Sequence, residues 1–285
     1  MSPKLIEIPT LEDDGLETPE VGSWAEEKYR LVKLYASVFT TSMRDKWDEL
    51  VYLDLFAGCG RARLRDSGRI VPASPFLALT LEHPFSRYVF CEKKPALLEV
   101  LEVRVRRALP DVDARYIPGD VNQRIPRILG QLPTPSRKRK VLALCFVDPY
   151  SLKNLQFTSL AGLAERFMDF LVLIPTDYDA TRNVELYLRS KNATVDRFLG
   201  VSDWREKWSV AKEVGQSFGR FVADSFGQSM GRLGFIYEDI DHTHLVKFPE
   251  RNLRLYRLVL FSRHKLGARF WKEVRKYSSS QGELF

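Results

Sequence analysis

Acidic residues close four apolar runs of this chain. Asp54 sits in Val51-Tyr52-Leu53-Asp54-Leu55-Phe56, Glu92 follows Arg87-Tyr88-Val89-Phe90-Cys91, Asp120 follows the run from Asp113 to Ile117 through Gly119, and Asp148 follows Val141 to Val147. The first run leads into Ala57-Gly58-Cys59-Gly60, where side-chain bulk disappears just as a loop must turn and let a ligand approach the backbone. In open α/β folds ligands bind at the carboxyl ends of the strands, which places this loop for a nucleotide-like cofactor. A short glycine loop alone is weak evidence. Four strand ends that each deliver a carboxylate are harder to dismiss.

Other residue clusters are less telling. Asp148-Pro149-Tyr150 is a candidate for reaction chemistry and equally a plain turn sequence. Arg61, Arg63 and Arg65 follow the glycine loop, would share one face if extended, and suit a phosphate-bearing or acidic substrate; a solvated loop is the bland alternative. The basic run Arg137-Lys138-Arg139-Lys140 precedes a strand and belongs at the opposite edge of the sheet. His242 and His244 lack matching acids or cysteines, so no metal site is expected. The three cysteines, Cys59, Cys91 and Cys145, lie at or near strand ends and read as small buried thiols in a reducing cytosol.

The elements that position these residues follow from periodicity. Residues 1–22, acidic and broken by Pro and Gly, read as a flexible arm. An amphipathic helix spans 24–47, with Tyr29, Val32, Tyr35 and Phe39 at helical spacing. Strands are expected near 51–56, 87–92, 113–117, 141–147 and 170–174, separated by helices near 74–82, 95–109, 121–130 and 157–167; residues 61–72 read as a polar segment. Val141 to Val147 is continuously apolar, as suits a strand covered on both faces. A helical insertion is expected at about 176–230, within a single domain of residues 23–285. Two strands near 233–240 and 254–262 have too short a connection for a helical crossover and must be antiparallel neighbours. A basic helix spans about 266–277.

The bulk composition is that of a soluble globular chain: 285 residues, 45% hydrophobic and 28% charged. The net charge of +7 permits an anionic partner without demanding one. No stretch approaches the ~18 apolar residues of a membrane helix and no signal-type segment opens the chain, so a cytoplasmic location is expected.

The fold class is therefore α/β: a doubly wound, Rossmann-like sheet, mostly parallel, with one antiparallel strand near the C-terminus. That pattern matches class I S-adenosylmethionine-dependent methyltransferases. On this reading Asp54 and the loop of Phe56, Ala57, Gly58 and Gly60 hold the methionine end of S-adenosylmethionine. Glu92, with Lys93 beside it, accepts the ribose hydroxyls, and Asp120, with Val121 beside it, accepts from the adenine amine. Helix capping and dipole roles compete for the same acids. Asp148-Pro149-Tyr150 is similar to the strand-four motif of adenine-N6 methyltransferases, in which an acid or amide orients the target amine and an aromatic stacks on a flipped base. It has one proline fewer than that motif.

Tyr52 to Arg63, Gly68, Ser74-Pro75, Phe90-Cys91-Glu92, Phe146 to Tyr150, and Leu255 to His264 followed by Gly267 and Phe270-Trp271 together resemble the three-Cys-motif partner proteins. The resemblance spans about 24–277. It implies a methyltransferase-like fold working with a radical-SAM-like three-cysteine partner protein, on nucleic acid or a partner-bound substrate, in DNA modification or repair. Two other classes compete: a non-catalytic binding partner that keeps the fold, and a metal-dependent nuclease using the strand-end acids.

Overall fold

The computed structural model describes residues 7–237, 239–240, 243–248 and 253–279. The chain runs through β1 (Glu20–Val21), α1 (Trp24–Met43), β2 (Glu49–Asp54), β3 (Arg61–Leu64), β4 (Ile70–Pro72), α2 (Ser74–Leu79), β5 (Arg87–Glu92) and α3 (Pro95–Ala108). It continues through β6 (Ala114–Pro118), α4 (Val121–Gln131), β7 (Val141–Val147), α5 (Phe157–Leu163) and β8 (Met168–Ile174). A π-helical turn (Thr176–Thr181) leads to α6 (Val184–Leu188), α7 (Thr194–Leu199), α8 (Trp204–Glu213) and α9 (Phe218–Arg232). Last come β9 (His244–Phe248), β10 (Leu253–Phe261) and α10 (Lys265–Ser279).

Seven strands form the main sheet in the order β6-β5-β2-β7-β8-β10-β9. Pairings are parallel from β6 to β8, and β10 alone is reversed, antiparallel to both β8 and β9. This is the doubly wound sheet of the class I methyltransferase type. Chain order reverses between β2 and β7, so the topological switch point, where such sheets bind ligands, lies at the ends that carry Asp54 and Asp148.

Both faces of the sheet are covered. Val51 and Leu53 of β2 join Cys145 and Val147 of β7 in a core with α4, α5, α7 and α9. Leu50 and Tyr52 alternate to the other side and pack with α1, α2, α3 and α10 through Tyr35, Phe39, Leu101 and Trp271. Period-two alternation with both faces apolar explains why the strands read as continuous hydrophobic runs.

Three local expectations are corrected. Residues 61–72 are not a mere polar segment: β3 and β4 form a hairpin, and β1 adds to β3 to make a separate three-stranded sheet. Residues 7–22 of the expected flexible arm are packed, with Ile8 buried, Leu11 bridging Ile70 and β1 paired to β3; residues 1–6 lie outside the described residues. The strand expected at 233–240 lies later, at His244–Phe248. Ile236 touches β10's continuation only through a single bridge to Ser262, while β9 pairs along the first half of β10. The basic run 137–140 sits at the sheet edge opposite Asp148, where Arg139 pairs with Glu49.

Candidate functional site

The glycine loop is built as its sequence requires. Gly58 and Gly60 have φ of 60° and 82°, left-handed values that side chains resist. Gly60 is also packed shut: a Cβ there would lie 2.7 Å from side-chain carbons of Leu101 and Phe76. Around Gly58 the same construction meets nothing within 4 Å, so its backbone faces open space.

The strand-end acids meet around this loop. Asp54 is fully buried and accepts from Phe56 N–H at 3.1 Å and from the Tyr52 hydroxyl at 3.4 Å. Burial pushes its carboxyl up to about 7, against hydrogen bonds from Ser74 and Phe56, and the nearby charges of Asp148 and Glu92 add to the rise. Glu92 accepts from Gly58 N–H at 2.9 Å through one oxygen and from Lys94 N–H at 2.8 Å through the other. Each oxygen keeps a lone pair for a further donor. Asp120 caps α4 by accepting from Asn122 N–H at 3.0 Å, and pairs with Lys93 at 2.9 Å. Burial works against its charge, but the Lys93 and Asn122 bonds outweigh it and hold the carboxyl below its ordinary range. Val121 is buried in the first turn of α4. Burial also pushes the Cys91 thiol up to about 12, with Glu92, Asp54 and Asp120 adding to it, so Cys91 stays an inert thiol.

Asp148 has an unexpected partner. Lys28 of α1 reaches its Oδ2 at 2.5 Å, with side-chain exposures of 12% and 21% for lysine and aspartate. Burial opposes the charge on Lys28, but the Asp148 carboxylate more than offsets this and holds the ammonium well above its ordinary range. Asp148 is thus half of an ion pair rather than a lone acceptor. Beyond it the chain is pinned by Asp179 of the π-helical turn, which accepts from Leu152 N–H at 2.7 Å. Tyr150 is 72% exposed, and its hydroxyl lies 2.6 Å from that of Tyr178 with the rings edge to face.

A cavity of about 380 Å³ opens here, lined by Trp24, Lys28, Asp148, Tyr150, Tyr178 and Tyr256 among others. Tyr256, on β10, is buried, and among the described residues its enclosed hydroxyl has no hydrogen-bond partner. Lys28, Tyr178, Asp179 and Tyr256 were not singled out from the sequence. Each comes from an element distant in the chain from the strand-end acids it joins, so no local spacing marks it.

The arginines after the loop are placed differently from expectation. Arg61 donates to the Glu12 carbonyl and pairs with Asp14 at 3.2 Å, while Arg63 pairs with Asp13 at 2.6 Å. Arg65 lies 3.7 Å from Glu20 and also lines the cavity. Arg104 of α3, nearly fully buried, grips Asp14 at 2.8 Å, the Cys59 carbonyl at 2.9 Å and the Thr18 hydroxyl at 2.9 Å. Arg61, Arg63 and Arg104 fasten residues 12–20 to the glycine loop, while Arg65 stays exposed beside the cavity. His244 pairs with Glu27 at 2.7 Å; His242 lies outside the described residues. Among the described residues no helix is long and apolar enough to cross a membrane.

No protein-family model and no curated protein matches this chain. Solved structures that overlap it include magnesium protoporphyrin IX methyltransferase from Synechocystis with bound S-adenosylmethionine, at 10% identity and a TM-score of 0.41, covering 85% of each chain. The same enzyme with bound S-adenosylhomocysteine overlaps at 10% identity and a TM-score of 0.40, covering 84% of this chain and 87% of that one. A protein from Legionella pneumophila overlaps at 16% identity and a TM-score of 0.39, covering 61% of this chain and 74% of that one. Overlaps this loose carry no weight about activity; the strand order of the chain itself establishes the fold.

Proposed function

We propose that the chain is an S-adenosylmethionine-dependent methyltransferase. The observation that carries this reading is the convergence of Asp54, Glu92, Asp120 and Asp148 on one edge of the sheet, around the open backbone of Gly58. The donor set fits the cofactor. S-adenosylmethionine carries a sulfonium and an ammonium against one carboxylate, and a rim of carboxylates suits that excess positive charge. Glu92 retains a lone pair on each oxygen for the two ribose hydroxyls, Asp120 with Lys93 and Val121 borders the adenine, and the Asp54 to Gly60 loop receives the methionine end. Bound there, the cofactor supplies an electrophilic methyl group. Asp148, Pro149 and Tyr150 border the acceptor, with Lys28 paired to Asp148 and Asp179 setting the path of the loop.

The acceptor is a nucleic acid or a substrate held by a partner. The resemblance to three-Cys-motif partner proteins supports a radical-SAM-like partner, a role in DNA modification or repair, and a cytoplasmic location. Isothermal calorimetry with S-adenosylmethionine tests the core of the reading. The folded protein is expected to bind, and Glu92→Ala to weaken binding by about 1–3 kcal/mol through lost hydrogen bonds to a charged acceptor. Absence of binding by the intact fold refutes the enzyme.

One observation favours a second reading, a non-catalytic partner that keeps the fold. The Lys28 ammonium already occupies the carboxylate that would orient an acceptor. Full S-adenosylmethionine binding without methyl transfer to any nucleic acid or partner-bound substrate would support it.

A further inference from the structure

The basic last helix walls a second cavity. α10 presents Lys265, Arg269 and Lys272 along one side, and with Arg275 they line a groove of about 510 Å³. That volume lies within the range of ligand pockets, ~300–1,000 Å³. The groove exists because β9 stops early. β9 pairs with β10 only as far as Leu258, and among the described residues a single bridge from Ile236 to Ser262 is all that follows. Where a further strand would lie, α10 faces Ile236 and Tyr237 across open space. The groove shares no lining residue with the cavity beside Asp148, so it stands apart from the methyltransferase reading.

Two chemistries meet in it. The floor is apolar, made of Ile236, Val259, Leu260 and Ala268. The wall is cationic. Lys265, Arg269 and Lys272 are exposed, and among the described residues their side chains have no hydrogen-bond or ion-pair partner. Arg275 donates to the Thr243 carbonyl at 3.1 Å, and Asp239 is the one acid among the described residues of the lining. Lys265 and Arg269 stand four positions apart and Arg269 and Lys272 three, spacings at which like charges on a helix repel. An anion laid along the wall relieves that repulsion. Glu273, exposed on the same helix, reports the sign of the field: its bond from Lys276 holds the carboxyl below its ordinary range, and the charges of Lys272 and Arg269 add to this.

A nucleic acid strand would meet the wall but not the floor. Its bases need an exposed ring to stack on, and both aromatics of the lining are engaged. Trp271 is 4% exposed and packs edge to face on Tyr35, while the Tyr237 ring lies against Phe261 and its hydroxyl donates to Asp224 at 2.8 Å. An extended peptide meets both surfaces. Its side chains alternate between two faces, so carboxylates at every second position recur about every 7 Å on one face. The helical rise sets Lys265, Arg269 and Lys272 about 6 Å and then about 4.5 Å apart along α10, within reach of successive carboxylates for long, flexible side chains.

We propose that this groove docks an extended acidic peptide of a partner protein, its carboxylates alternating with apolar side chains. The carboxylates pair with Lys265, Arg269 and Lys272, and the apolar side chains lie on Ile236, Leu260 and Ala268.

Fluorescence anisotropy on the full chain tests this with four dye-labelled probes. They are hexapeptides of alternating aspartate and leucine, asparagine and leucine, and aspartate and serine, and a single-stranded hexanucleotide. The aspartate–leucine peptide is expected to bind at least tenfold more tightly than the asparagine–leucine peptide and at least fivefold more tightly than the other two. The paired charge reversal Arg269→Glu with Lys272→Glu, at exposed positions, is expected to weaken that binding at least tenfold. The milder pair Arg269→Gln with Lys272→Gln is expected to weaken it at least threefold, and its circular dichroism should match that of the parent chain. Absence of binding by the aspartate–leucine peptide, or equal binding by its asparagine counterpart, overturns the proposal. So does unchanged affinity in both variants. Equal binding of the aspartate–serine peptide reduces the groove to a charged patch and overturns it as well. Tighter binding by the oligonucleotide, lost in the same variants, assigns the face to nucleic acid instead.

Discussion

Replacing Lys28 with Met should expose how tightly α1 is bound to the edge of the sheet that carries Asp148. The two side chains touch at 2.5 Å and are only 12% and 21% exposed. Exposed pairs contribute about 0–1 kcal/mol, whereas breaking a buried pair costs about 3–5 kcal/mol because one charge is stranded. The Lys28–Asp148 pair lies near the buried limit, but Asp148 faces a cavity and can recover some hydration. Lys28→Met is therefore expected to cost about 2 kcal/mol. Asp148→Leu, which strands the more buried ammonium, is expected to cost about 3 kcal/mol. The double variant leaves no unpaired charge and should cost less than about 1 kcal/mol, since apolar replacement of a buried pair is often neutral. The coupling energy is then about 4 kcal/mol or more. Urea unfolding followed by circular dichroism measures it, provided the m-value is unchanged. For a chain of this size the Lys28→Met loss corresponds to a fall in Tm of roughly 4 °C. Additive single and double variants, within about 0.5 kcal/mol, would refute the argument that these two residues form one buried unit.

Three further outcomes follow from the geometry. Gly60→Ala should destabilise the fold by about 2–3 kcal/mol, because it combines a left-handed φ with a Cβ pressed on Leu101 and Phe76, whereas Gly58→Ala carries only the backbone strain, about 1 kcal/mol; thermal melts compare them. Arg104→Met should loosen residues 12–20 from the glycine loop and cost about 2 kcal/mol through its lost bonds to Asp14, Thr18 and the Cys59 carbonyl, with Arg61 still paired to Asp14, read as faster proteolytic cleavage near Leu16 with the rest of the chain resistant. Burial pushes Asp169 up to about 6, against bonds from Ser262 and Tyr35, so the native state holds a proton that the unfolded chain gives up near pH 4. Its contribution is complete below pH 4 and is lost as pH rises through about 6. Asp169→Asn should flatten the stability profile between pH 4 and 7, and an unchanged slope in urea titrations would show the assignment to be wrong.

The sheet was readable because its signals are local. Val141 to Val147 is apolar at every position, which only a strand covered on both faces tolerates, and all seven residues form β7. The short link between the last two strands forced an antiparallel pair, and β9 and β10 are one. The first member was misplaced because Phe235-Ile236-Tyr237 is as strand-like in composition as His244 to Phe248. The choice belongs to β10, whose first half is open for pairing while its far end offers Ile236 a single bridge. The β3–β4 hairpin was hidden for a different reason. Arg61 and Arg63 alternate with buried Ala62 and Leu64, a strand pattern masked by its own charges.

The amino-acid order by itself determined the alternating strand–helix units, the reversed strand and the delivery of carboxylates to successive strand ends, since each depends on periodicities and turns within one or two dozen residues. Tertiary structure alone decided what those carboxylates meet. Lys28 lies 120 positions from Asp148 and faces it because α1 packs against β9 and α10, which brings an otherwise ordinary helix lysine into the cavity. Likewise the enclosed Tyr256 hydroxyl, without a hydrogen-bond partner among the described residues, is where it is because β10 runs reversed between β8 and β9. Ion pairs and orphaned hydroxyls of this kind are set by how distant elements pack, and no local spacing encodes them.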